Sequence, residues 1–515
     1  MKKTYRVGFA RRELNEESLH PAEAFLAPLE VRCFVVETDS GLACWVVYDL
    51  TCMYPEQAAQ VRTAVAAALG CGRDAVVVHC THTHSVPDYF VAFPVEALSR
   101  QAAVAAREAR AQMQPFRLVE VTVDVGNRFS IMRRKFLPGI GTFTVWYGYR
   151  LENGRPDGAP LIREQAERVF GRRHAQIPEL ENPIWFEDPV DPLLQGLVFV
   201  GSNSETIGSL IRFSAHPHTT SHVKELRYHP DFPGFARDAM ERNLGGMCIY
   251  LTGPCGDIVP KEEMQFRMPP PVERPAGAER DFGPSAWHKE VAPGDALRVA
   301  QSIGENLAST ILARLRGESP RPAKKAKAST GPGSWAVAPW HPSTVRARTV
   351  SLTVPIRENF AKSSPEATAA HDAGIERLLE LQQNDGAGRA TLWEIRSLAD
   401  RAQQLGLEAL DIRSFPAGAL QARQVTLEIG LLQLGNIILA GLPSEPCVGT
   451  SLRLRANTLG DRLWTVSQVN GWIGYLTGSF DCLAGGYESA RTPMPPDGLA
   501  QYDTQACKAV REMMD

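Results

Sequence analysis

Residues 79–89 read His-Cys-Thr-His-Thr-His-Ser-Val-Pro-Asp-Tyr and follow the β-branched run Ala75-Val76-Val77-Val78. That run has the character of a buried strand, so His82 and His84, two positions apart, fall on one face where the strand opens into a loop. Neutral imidazole is a good zinc ligand, and two imidazoles on one rigid element lower the ordering cost of a site. The alternative is a pair of loop-capping histidines held by hydrogen bonds, because a structural zinc site needs four ligands.

A second cluster repeats the pattern. Phe213-Ser214-Ala215-His216-Pro217-His218 follows Gly208-Ser209-Leu210-Ile211 and again ends a predicted strand. Downstream stand His222, His229 and Asp231-Phe232-Pro233-Gly234, then the strand-like Cys248-Ile249-Tyr250-Leu251-Thr252. This last run breaks into Gly253-Pro254-Cys255-Gly256-Asp257-Ile258-Val259-Pro260, a Gly/Pro-rich loop with a carboxylate in it. Seven of the twelve histidines lie in the windows 79–84 and 216–229, which chance placement at strand ends explains poorly.

Taken in order, the His82-Thr83-His84-Ser85 run, FSAHP, DFPG, GDIVP and Leu442-Pro443-Ser444-Glu445 resemble the neutral/alkaline non-lysosomal ceramidases and their bacterial relatives. The likeness runs from the Tyr5–Ala10 strand to about residue 490. Position by position, it implies that His82, His216, Glu445 and Tyr475 hold a zinc ion. It further implies that His84, and Tyr487 in Gly485-Gly486-Tyr487-Glu488, bind substrate or the tetrahedral intermediate, and that Arg128 binds substrate. By residue type alone, Glu445 can also be a carboxylate at a helix N-terminus. Tyr475 and Tyr487 can be core tyrosines with satisfied hydroxyls, and Arg128 can be half of an ordinary salt bridge.

The sequence also departs from the family. Its signature carries a serine where this chain has Val259, which can neither attack nor donate a hydrogen bond. A mechanism that needs that hydroxyl is excluded, whereas water acidified by zinc needs no side-chain nucleophile. The chain ends at Asp515, soon after the Tyr487 motif, so the family's carboxy-terminal β-sandwich is expected to be missing. The resulting expectation is a zinc-dependent hydrolase of an amide, or an ester, of a soluble small molecule, with ceramide a poor substrate. Asp231, with His229 beside it, is a candidate proton shuttle, and Asp257 a candidate substrate contact. A second reading puts the same metal site to work on a carbohydrate or hydroxy acid, by glycosidic cleavage, elimination or isomerisation. A third keeps zinc as scaffold only, against which stands the retention of four ligand-type residues.

Composition narrows the field. A net charge of −3 with mixed signs argues against a nucleic-acid partner. No window approaches the roughly 18 apolar residues of a membrane span, and no signal-peptide core follows Met1-Lys2-Lys3, so a cytoplasmic location is expected. Ten cysteines without a CxxC pair, among them Cys33, Cys44, Cys80 and Cys248 in strand-like runs, read as reduced core residues.

Ligands spread from His82 to Tyr475 must converge, so one large catalytic unit of the α/β class is expected, with mixed sheets flanked by helices. Residues 1–317 and 346–515 form its two halves, joined by a Pro/Gly/Ser-rich linker at 318–345. Strands are expected near 31–37, 43–49 and 350–356, and helices over 55–69, 94–113, 366–383 and 391–405. A long apolar segment, Val425 to Leu442, delivers Glu445. Asp49 ends a strand and is either a neighbour of the metal site or solvated. Inserts at 131–190 and 262–293 are candidate pocket walls. In the first, Trp146 and Tyr149 can stack on a sugar ring or cover an acyl chain, or else pin a surface loop.

Overall fold

The computed structural model describes residues 4–15, 24–86, 93–137, 141–144, 150–152, 155–157, 189–221, 228–263, 293–318, 336–357, 416, 418–484 and 487–514. Trp146, Tyr149, most of both inserts and the helices expected at 366–383 and 391–405 lie outside the described residues.

Three mixed sheets share one core. The first has the strand order Val76–Cys80, Gly41–Tyr48, Glu30–Thr38, Arg6–Glu13, Gln114–Pro115. Its side chains alternate: Val31, Cys33 and Val35 face the helices Pro55–Leu69 and Val95–Ala111, whereas Phe34 and Val36 face inward. The first helix begins at Pro55 and ends at Gly70, whose φ of 67° suits a residue without a Cβ. The second sheet runs Met247–Thr252, Thr206–Phe213, Leu193–Val200, Arg117–Asp124, with the helices Asp231–Leu244 and Pro293–Leu315 outside it. The third runs Val345–Pro355, Gln424–Leu434, Ile437–Gly441, Leu463–Val466, backed by Val448–Asn457 and Pro496–Glu512. The apolar segment 425–442 is therefore two strands. Gly435, at φ 62°, makes the two-residue turn that folds it back on itself.

The inner faces meet through Phe9, Phe34, Trp45, Phe199, Ile249, Leu432 and Trp464, all buried. Each such side chain contributes about 2 kcal/mol of apolar burial. Every sheet also contains one parallel pair: Gly41–Tyr48 with Val76–Cys80, Thr206–Phe213 with Met247–Thr252, and Ile437–Gly441 with Leu463–Val466. The carboxyl ends of parallel strands are where open α/β sheets place their ligands. Here the segments carrying His82, His216 and Glu445 all leave such ends.

Buried polar side chains tie these ends together. His79 Nδ1 donates to Ser467 O at 2.7 Å and its Nε2 accepts from Thr252 N at 3.3 Å, so one imidazole joins all three sheets. Arg212 donates to Asp191 Oδ2 at 2.6 Å and to Thr465 O at 2.9 Å, linking the second sheet to the third. Asp191 also pairs with Arg455, and although burial opposes its charge, the two arginines hold its carboxyl well below the usual range.

Burial holds His79 at about 3 and His229 at about 4, against an ordinary 6.5. The unfolded chain therefore takes up protons that the folded chain refuses. The stability due to these neutral rings is complete above pH 6.5 and falls as the pH drops through the window to about 3, by about 1.4 kcal/mol per pH unit for each ring. We expect His79→Leu to cost on the order of 3 kcal/mol at neutral pH, from one unpaired carbonyl and one unpaired N–H, and to flatten the acid slope by one ring's share. Denaturant melts from pH 4 to 8 check both; an unchanged slope contradicts the assignment.

Candidate metal centre

One backbone bond joins the two histidine loops, His84 N donating to Pro217 O at 2.9 Å, and a second ties His216 N to Ile258 O at 2.9 Å in the Gly/Pro-rich segment. His82 sits at φ 68° and Ser444, just before Glu445, at φ 64°. A non-glycine residue held there costs on the order of 1 kcal/mol, and such strain gathers at functional sites.

Backbone carbonyls set the tautomers. His82 Nδ1 donates to Thr51 O at 2.7 Å and His216 Nδ1 to Cys255 O at 3.1 Å, which leaves each Nε2 as a lone pair. The Nε2 atoms of His82 and His216 stand 3.0 Å apart, those of His216 and His84 2.8 Å, and those of His84 and His82 3.3 Å. Nitrogens around a tetrahedral zinc at 2.0–2.1 Å lie about 3.3 Å apart. Burial first, then the neighbouring His82, His84 and Arg133, push His216 well below its ordinary value, so it stays a neutral ligand.

Glu445 completes one side. Its Oε1 accepts from Trp472 Nε1 at 2.8 Å. Its buried Oε2 lies 3.3 Å from His82 Nε2 and 4.0 Å from His216 Nε2, and among the described residues it accepts no hydrogen bond. Although burial opposes its charge, the carboxyl is held below the usual range, with Trp472 donating to it. Tyr475 pairs with Glu445 in a short parallel ladder; burial, then the Glu445 charge, push its hydroxyl well above the ordinary value. A buried carboxylate oxygen without a donor, beside two imidazole lone pairs and a third imidazole nitrogen, is costly in a protein interior unless a cation sits among them. The donor set of neutral imidazoles and a carboxylate suits such a cation, and His82, His84 and His216 together could hold a metal ion.

The remaining expected site residues divide. Tyr487 packs edge-on against Tyr475, with ring centroids 5.7 Å apart. Arg128 is exposed and lies over its neighbour Phe129 at 4.7 Å. The arginine inside the site is Arg133, which donates to Glu488 Oε1 at 2.8 Å, Gly256 O at 2.7 Å and Tyr475 OH at 3.1 Å. Asp257 accepts from Val448 N at 2.7 Å, at the start of a helix, and burial lifts it to about 6. Asp231 accepts from Thr220 N and Oγ1, both at 2.7 Å, and from Phe232 N at 2.6 Å. His229 Nδ1 accepts from Asp231 N at 2.9 Å. Asp49 is buried in a two-pronged pair with Arg237, at 2.7 Å for each contact. Val259 is buried in a ladder opposite Ile131.

Two features escaped the sequence and a third was read in two ways. His84 Nε2 stands in the same triangle as the two expected histidine ligands; its spacing from His82 marked the pair for a metal, whereas the resemblance gave its partner as substrate. Arg133 has no spacing that separates it from Arg134. His218 Nδ1 lies 2.6 Å from Glu263 Oε1, with its ring 4.8 Å from that of His216; only the histidine of that pair stood in a recognisable run.

Purified protein is expected to carry about one metal ion per chain. His82→Ala and His216→Ala should abolish retention, and His84→Ala should weaken it by roughly tenfold to a hundredfold. Elemental analysis and chelator competition measure this; full retention in His216→Ala contradicts the site.

No protein-family model matches the sequence, and no curated protein matches it. Solved structures do. Neutral ceramidase from Pseudomonas aeruginosa aligns with a TM-score of 0.58 and 18% identity, over 99% of this chain and 75% of that one. A ceramidase complexed with C2 aligns with a TM-score of 0.58 and 17% identity over the same shares. At this identity the likeness is one of fold: the chain has the mixed α/β architecture of the neutral ceramidases.

Proposed function

We propose that this chain is a zinc-dependent hydrolase that cleaves an amide, or less readily an ester, of a small polar molecule. The observation that carries the proposal is the triangle of Nε2 atoms from His82, His84 and His216 with Glu445 Oε2 on its flank. The solved structures of the same fold are ceramidases, which makes hydrolysis the reaction class with the most support.

His82, His216, Glu445 and Tyr475 would hold the ion, with His84 in reach either of it or of the substrate carbonyl. When bound, zinc polarises a carbonyl and acidifies water. The chain's own groups do the rest. The carbonyls of Thr51 and Cys255 keep two rings in the ligand tautomer, and Trp472 keeps Glu445 turned toward them. Arg133, buried and paired with Glu488, donates to Tyr475 OH, so a guanidinium stands beside the site and favours a developing oxyanion. Tyr487 is a further donor for that oxygen. Asp231, lifted by burial to about 6, bonds Thr220 Oγ1, which lies 2.5 Å from Ser85 Oγ next to His84. That chain of hydroxyls is a path for a proton.

The test is a panel of short N-acyl amides, esters, glycosides and a long-chain ceramide in detergent. Short N-acyl compounds should turn over on the order of 10 per second, with activity lost on chelation and restored by zinc. Ceramide should be poor, and Val259→Ser should bring no gain, because a hydroxyl added to that buried wall finds no partner. Ceramide turnover at the full rate, or undiminished activity after metal removal, contradicts the proposal.

A further inference from the structure

Gln468 follows the strand Leu463–Val466 and is held between the two segments that carry the candidate ligands. Its N–H donates to Ser444 O at 3.0 Å, next to Glu445, and its carbonyl accepts from Cys80 N at 3.2 Å, two residues before His82. Its backbone is left-handed at φ 53°. Its side chain is buried, with the residue 3% exposed, and among the described residues neither Oε1 nor Nε2 has a hydrogen-bond partner. Buried Gln195 and half-buried Gln433 each satisfy one end of the amide, Gln195 Nε2 bonding Asp461 O at 2.9 Å and Gln433 Nε2 bonding Gly435 O at 3.0 Å, and leave only Oε1 without a partner among the described residues.

A buried carboxamide without partners is penalised at both ends, and a left-handed backbone adds strain. Leucine or methionine would fill nearly the same volume without the polar penalty. A local rule broken this way, beside a site, marks a group reserved for something that binds there. We infer that Gln468 is a substrate-reading residue of the proposed hydrolase. Its amide presents an acceptor and a donor side by side, so the matching substrate carries a neutral polar group, a hydroxyl or a second amide, close to the scissile bond. A site built to hydrogen-bond such a group rejects the analogue lacking it, because its own polar atoms are then left unpaired.

This inference rests on the proposed function for its location, and a binding measurement separates the two. N-acetylethanolamine and N-propylacetamide differ by a terminal hydroxyl against a methyl. Their affinities for the purified protein, read by ligand-observed NMR, require no turnover. Wild type should prefer the hydroxyl compound by about tenfold. Gln468→Leu should level that preference while leaving the melting temperature unchanged or higher, and Gln468→Met serves as the second variant should leucine fail to fold. Equal affinity in wild type, binding of neither compound, or collapse of stability in both variants overturns the inference. Loss of all turnover with the preference intact overturns only the hydrolase reading.

Discussion

Lone pairs of like character repel, and this protein aims those of His82 and His216, together with His84 Nε2 and a carboxylate oxygen, at one point. Nothing local to the four residues can hold that arrangement. It persists because two of the imidazoles are clamped from behind, His82 by Thr51 O and His216 by Cys255 O, because the backbone of His84 is bonded to Pro217 O, and because Trp472 fixes Glu445. Those clamps lie on segments from different sheets. The junction of the sheets is therefore what the site depends on, and a shared apolar core with His79 and Arg212 bridging the strand ends supplies it. The backbone bears part of the load as well, with left-handed residues at 82, 444, 468 and 470 gathered around the same junction.

Much of this was legible in the residues. Strand-end histidines with β-branched runs before them announce both loops, and Pro55 and Gly70 mark the first helix as the structure has it. The need of distant ligands to meet announced the convergence of His82, His216 and Glu445. What was hidden is tertiary in origin. His84 lies close to His216 only because its loop is bonded to Pro217, a contact without local signature. Arg128 and Arg133 are five residues apart and alike in type. Only the short ladder of Ser130–Met132 with Ile258–Pro260, between them in space, shows why the second is buried and the first exposed. The partners of the carboxylates were equally hidden. Asp49 was expected beside the metal site or in solvent, Asp231 as a proton shuttle and Asp257 as a substrate contact, and no local signature announces that Asp49 pairs with Arg237, Asp231 with Thr220 and Phe232, and Asp257 with Val448 N.

The fold is shared with neutral ceramidases. Val259 is buried in the ladder opposite Ile131, and Gln468 is buried with its backbone bonded to the segments that carry His82 and Glu445. On the proposed reading, residues on strand ends would hold the metal and residues around them would choose the substrate, two separable sets.

X-ray absorption at the zinc edge of the purified protein tests the central claim most directly. The account predicts a shell of four or five nitrogen and oxygen scatterers at about 2.0–2.1 Å, with the outer-shell pattern of two or three imidazoles and no sulfur. A sulfur shell at about 2.3 Å, which would bring in a cysteine such as Cys255, or a first shell of oxygen without imidazole, would contradict it.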